Sequence, residues 1–113
     1  MHEMSIAEGI LKIAVDIMEK NNCSTIGAIG LKVGDMSGVE LESLNLAFSV
    51  LVRDTPARNA LLKIERVPVT AQCNRCLKTF RVEHFNFRCP ECDDGVLILK
   101  SGRELLVEYV DVD

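Results

Sequence analysis

Four cysteines, Cys73, Cys76, Cys89 and Cys92, stand in a C-x2-C-x12-C-x2-C arrangement. Each C-x-x-C pair aims two thiolates at one centre, and the excursion between the pairs is long enough to return the second pair and complete a tetrahedral S4 shell. Zinc is the expected ion. Four thiolates close the coordination shell, whereas catalytic zinc keeps an exchangeable position, so the quartet reads as a structural rivet. An iron–sulfur cluster also takes four cysteines and is the competing reading. A redox-active pair fits less well, because two C-x-x-C units at this separation suit a shared ion. Cys23, the fifth cysteine, reads as a small buried hydrophobe or an idle thiol.

A second set of donors lies at the other end of the chain, in Met1-His2-Glu3. The Met1 α-amine, the His2 amide nitrogen and the His2 imidazole form one short chelating stretch, suited to Ni(II) or Cu(II), which accept tetragonal nitrogen and oxygen shells. The plainer reading is a solvated histidine. His84, between the cysteine pairs, reads as an exposed residue on the zinc module, with an extra metal ligand as the alternative. An enzyme is not expected: there is no nucleophile elbow or phosphate-cradling glycine loop, and the chain has two histidines in all. His2 beside Glu3 at a chain terminus is poorly preorganised for catalysis.

The elements around these sites follow from composition and period. A chain of 113 residues, 48% of them hydrophobic, supports one modest core, but the roughly 30 residues around the cysteines bury too little to fold without a staple. The N-terminus lacks a secretory pattern, and no run approaches the ~18 apolar residues that span a bilayer, so a cytoplasmic protein with reduced thiols and no membrane partner is expected. Net charge is −4, and residues 73–100 carry five basic and four acidic side chains. That +1 disfavours nucleic acid as a partner, since phosphate binding needs clustered Lys and Arg.

Ser5 and Glu8 fit a capping box, and Ile6, Ile10, Ile13, Ala14, Ile17 and Met18 recur at helical steps, predicting an amphipathic helix that ends near Asn21–Asn22 and leaves residues 1–4 outside its start. A strand over 26–33 runs into the turn Gly34-Asp35-Met36-Ser37-Gly38. From Val39, a stripe of Leu41, Leu44, Phe48 and Leu51 marks a second helix, stopped before Pro56. Strands follow over 62–67, 80–82, 96–100 and 104–110, with Phe85 and Phe87 expected beneath the metal site. The last strand is too apolar to dangle from a zinc ribbon. It is predicted to return to the first sheet, making the zinc module an insertion carried on two crossing strands.

The chain resembles the HypA/HybF family of hydrogenase nickel-incorporation proteins. The resemblance rests on Met1-His2-Glu3-Met4-Ser5-Ile6-Ala7, Leu31-Lys32-Val33-Gly34, Ser37-Gly38-Val39-Glu40, Ala60-Leu61-Leu62-Lys63-Ile64-Glu65, the quartet with Cys89-Pro90-x-Cys92, and Ser101-Gly102-Arg103-Glu104-Leu105. It implies an α+β fold: a small α/β nickel domain, two helices on a three-stranded sheet that includes the C-terminal strand, with an inserted zinc-ribbon-like domain. The expected boundaries are 1–68 with 103–113 for the first and 69–102 for the second. It further implies a nickel metallochaperone that binds Ni(II) through Met1, His2, Glu3 and Glu40 and zinc through Cys73, Cys76, Cys89 and Cys92. The implied partners are a HypB-type GTPase and the precursor of the [NiFe]-hydrogenase large subunit. The additional C-x-x-C insertion of some archaeal relatives is absent, which leaves a ligand role for His84 unsupported. The competing functional class is a zinc-ribbon protein that binds nucleic acid or serves transcription.

Overall fold

The computed structural model describes residues 2–92 and 96–113. Two helices and a three-stranded sheet form one part of the chain, as expected; the other part holds a second three-stranded sheet, whose central strand, Thr70–Cys73, was not foreseen. The chain divides into two compact units, Met1–Lys32 with Val39–Glu65 and Leu106–Asp113, and Val33–Gly38 with Arg66–Leu105.

In the first unit, α1 spans His2–Lys20. It buries Ala7, Ile10, Ala14 and Met18, whose three- and four-residue steps keep them on one face, while Ile13 lies off that face at 46% exposure. The helix starts three residues before the expected Ser5 cap, so Ser5 and Glu8 lie inside it rather than closing its end. Glu3 supplies the acidic group that the partial positive charge of the first turn favours. At the other end Asn22 adopts φ 55°, the Cys23 amide donates to Met18 O at 3.0 Å and the Asn22 amide to Glu19 O at 3.1 Å. This crossed pair of bonds is a Schellman stop, and it gives the half-buried Cys23 a local structural role.

β1, Ile26–Gly34, is the central strand of the order β2-β1-β6, and its near-continuous burial reflects cover on both faces. α2, Leu41–Leu51, buries Leu44, Ala47 and Phe48. β2 is Leu61–Val67 and β6 is Leu105–Val112. Because the Asp35 amide, just past the end of β1, donates to the carbonyl of Val67, the last residue of β2, β1 and β2 run parallel, with α2 as their crossover. Thr25 and Asp113 exchange amide hydrogen bonds while the Gly34 amide donates to Glu104 O, so β6 returns antiparallel. The predicted return strand is therefore present.

The second unit is built on β3 (Thr70–Cys73), flanked by β4 (Thr79–Arg81) and β5 (Leu97–Ser101), both antiparallel to it. A bulge at Thr70/Ala71 shifts the β5 register, and there Thr70 Oγ1 donates to Ser101 Oγ at 2.6 Å while Ser101 Oγ donates to Pro68 O at 2.7 Å. Its apolar cluster is small: Val69, Ala71 and Val82, with Met36, Phe80, Leu97 and Leu99 packed against them. Where the segments at 34 and 102 meet, a Cβ on Gly34 would lie 2.1 Å from Gly102 O, so no side chain is tolerated.

Candidate metal centres

The cysteine quartet is assembled from the end of a strand at Cys73, turns at Cys76 and Cys92, and Cys89 just before the second of those turns. Cys73 closes β3, and the chain reverses at once: the Leu77 amide donates to Cys73 O at 2.9 Å, and the Cys73 amide donates to Lys78 O at 2.9 Å. Leu77 takes a left-handed φ of 65° to make that reversal. The Arg75 amide points at Cys73 Sγ from 3.4 Å, and the Cys92 amide points at Cys89 Sγ from the same distance. Amides aimed at sulfur favour the thiolate, the form that binds metal.

All four Sγ atoms lie within 4.8 Å of one another, and Cys76 Sγ is 3.5 Å from Cys89 Sγ. A Zn–S bond of ~2.3 Å gives a tetrahedral S···S edge of about 3.8 Å, so these sulfurs bracket the right size. No disulfide competes, because such a bond needs about 2.05 Å, and all five cysteines are free. Packing the four sulfurs together also splits their proton affinities. Amides of Cys76 and Arg75 draw the Cys73 thiol down to about 7. The hydrogen bond with Cys76, together with desolvation, pushes Cys92 up to about 12. Although the Lys78 amide pulls Cys76 down, desolvation and the sulfurs of Cys89 and Cys73 leave it raised. Four thiolates this close cannot all ionise unaided; a divalent cation removes the conflict.

Lys78 Nζ reaches Glu91 Oε1 at 2.9 Å and ties the first cysteine turn to the second, and that carboxylate holds the Lys78 ammonium above its usual range. Neither residue stands out in the sequence, since an ion pair between two turns has no period. Phe85 does not pack beneath the cluster as expected. It is 77% exposed, with its ring centroid 6.4 Å from that of Phe87. A left-handed backbone at His84 and Phe85 turns this segment outward. His84 is itself exposed.

At the other end of the chain, Met1 and the side chain of His2 lie outside the described residues. Glu3 and Glu40, distant in sequence, are brought together: Glu3 Oε2 accepts the Glu40 amide at 3.2 Å. Glu40 is the N-cap of α2. Its Oε1 accepts from the Ser43 amide at 3.1 Å and the Ser43 hydroxyl at 2.8 Å, and its Oε2 accepts from the Glu42 amide at 3.1 Å. The Ser43 hydroxyl, then the Glu42 amide, hold this carboxyl below its ordinary value of 4.5. Ser43 escapes sequence reading because helix capping normally places the short hydroxyl residue first and the carboxylate third, and here the order is reversed. Among the described residues, the quartet is the one group of three or more His, Cys, Asp or Glu side chains placed to share an ion.

No helix among the described residues is long and apolar enough to cross a membrane. A family model described as hydrogenase/urease nickel incorporation, metallochaperone, hypA matches residues 1–112. The hydrogenase maturation factor HypA of Chlorobaculum parvum is 39% identical over 113 residues, covering 100% of each chain. That of Caldanaerobacter subterraneus is 32% identical over 114 residues, again covering 100% of each. Two solution structures share the fold at 20% identity. The Ni metallochaperone HypA from Helicobacter pylori has a TM-score of 0.69, covering 99% of this chain and 97% of that one. A second HypA protein has a TM-score of 0.75, covering 99% and 96%.

Proposed function

Because the chain belongs to the HypA family of hydrogenase and urease nickel-incorporation metallochaperones, we propose that it carries Ni(II) on its N-terminal segment and gives it up to the precursor of a [NiFe]-hydrogenase large subunit. His2 is the principal ligand, with the Met1 amine and nearby backbone amides beside it. The first four amides of a helix have no intrahelical acceptor, and α1 begins at His2, so these nitrogens are not committed to the fold. Glu3 and Glu40 complete the site as positioning groups, since both Glu40 oxygens already accept hydrogen bonds.

The observation that carries this reading is the Glu3 carboxylate on the Glu40 amide. It ties the first turn of α1 to the start of α2, which gives the nickel segment a defined base. Transport needs such a base, because a cargo ion must be retained in transit and then exchanged. The quartet has the opposite character, and we assign it a resident zinc. Four thiolates with amides behind them leave no open position. The nickel domain is then 1–68 with 103–113 and the zinc domain 69–102. The setting proposed is the cytoplasm, with a HypB-type GTPase gating transfer and no reaction catalysed by the chain itself.

Zinc supplies rigidity and no chemistry here; what the chain does is hold and release a proton-competed ion. His2 must be neutral to bind, so acidification releases nickel. The test is a nickel titration of the native protein, His2→Ala, and a version with one residue added before Met1. Loss of tight binding in both variants, with one zinc retained per chain, is expected. Undiminished binding by the extended protein would count against the Met1 amine, and undiminished binding by His2→Ala against the whole assignment.

A further inference from the structure

A zinc ion in the quartet leaves the centre doubly negative, because four thiolates outweigh one divalent cation. Sulfurs in such a centre stay nucleophilic unless neighbouring donors and cations draw off their charge. The four are not equally protected. Cys73 and Cys89 are buried and Cys92 is half-buried, whereas Cys76 is exposed. A reagent that reaches the centre therefore meets Cys76 first.

Lys78 is built around that sulfur. Its amide is directed at Cys76 and favours the thiolate there, and its carbonyl accepts the Cys73 amide at 2.9 Å. Its side chain then crosses to the second cysteine turn, where Nζ lies 2.9 Å from Oε1 of Glu91, the residue before Cys92. Cys76 Sγ and Cys89 Sγ, one from each turn, are 3.5 Å apart. The Glu91 carboxylate does most to hold the ammonium above its usual range, and the sulfurs of Cys89 and Cys76 add to it. The cation thus stands within electrostatic reach of both sulfurs. A tie between two turns needs an ion pair, but it does not need the cation to lie beside the ligands.

We propose that the Lys78 ammonium screens the metal-thiolate centre, lowering the reactivity of Cys76 and slowing loss of the ion, while Glu91 tempers that screening. Lys78 acts through the sulfurs and binds no ion itself. The inference rests on the assignment of a resident zinc to the quartet and is independent of where nickel binds.

The test loads the full chain with zinc and compares alkylation by neutral iodoacetamide and anionic iodoacetate, in which a sulfur lone pair displaces iodide. Mass spectrometry should find Cys76 modified first. Lys78→Met should raise the iodoacetamide rate and lower the iodoacetate-to-iodoacetamide ratio about fivefold, the upper range for an exposed charge pair. Lys78→Arg should restore both. Glu91→Gln should move both the other way by a smaller factor. It breaks the same ion pair, so a purely structural tie predicts the same direction for the two variants. Lys100→Met is the control. It removes an equal charge about 10 Å of strand beyond Leu97, the partner of Cys73, where screening is strong, and should change neither quantity. Unchanged rates in Lys78→Met, or like shifts in Lys78→Met and Glu91→Gln, would overturn the proposal. A native chain that binds no zinc overturns the metal assignment with it, whereas zinc retained at unchanged rates leaves that assignment standing.

Discussion

The two units hold their shapes by different means. The helix-on-sheet unit buries Ile26, Ile29, Leu31, Leu44 and Phe48, each at 4% exposure or less. At ~1.5–3 kcal/mol per large apolar side chain, this is enough to organise a small sheet. In the cysteine-bearing unit the wholly apolar buried cluster shrinks to Val69, Ala71 and Val82, and its largest fully buried side chains are Cys73 and Cys89. Coordination must therefore do there what burial does in the first unit. The proposed difference in metal chemistry follows the same line, with a resident ion where burial is small and a transported ion on the unit whose core stands without one.

The largest effect should come from removing the resident ion. Structural zinc in small modules contributes ~10–16 kcal/mol of apparent binding energy, so Cys89→Ser or chelation should abolish amide dispersion across 66–105 while helical circular dichroism from the first unit persists. Joint collapse of both units would break the comparison. Next in size, Leu44→Ala removes a side chain at 0% exposure and should cost about 2–5 kcal/mol in urea unfolding, with zinc content unchanged.

Acidification should separate the regions further. Thiolate shells lose their ion as protons compete. Glu40 has a folded pKa below 4.5, so its cap contributes above that value and is lost as pH falls through the lowered one. Metal release, followed by a thiol-reactive dye, should thus precede fraying of α2, followed by amide exchange at Glu42 and Ser43. The smallest effect belongs to Glu40→Gln, which keeps the shape of the cap and removes its charge. It should slightly loosen the start of α2 and leave nickel affinity nearly intact, whereas a direct nickel ligand at Glu40 would make the loss of affinity large.

Much of the architecture was legible because it is written in periods. The helical steps from Ile10 to Met18, the apolar run from Ile26 and the apolar tail after Leu105 each point to one element, and the tail's hydrophobicity alone demanded a return to the sheet. The cysteine spacing likewise anticipates the clustered sulfurs. What escaped depends on contacts without a period. The start of α1 moved to His2, where Glu3 meets Glu40 across the fold, and no local rule announces such a bond. Phe85 looked like core because it is aromatic, yet two left-handed residues turn it outward. Ser43 and Lys78 act through partners that only the folded chain selects.

The central claim is that two chemically distinct sites hold two different ions, and X-ray absorption on protein loaded with both metals tests it most directly. The account predicts zinc surrounded by sulfur alone and nickel surrounded by nitrogen and oxygen with no sulfur. Sulfur scattering around nickel, or nitrogen replacing sulfur around zinc, would contradict it.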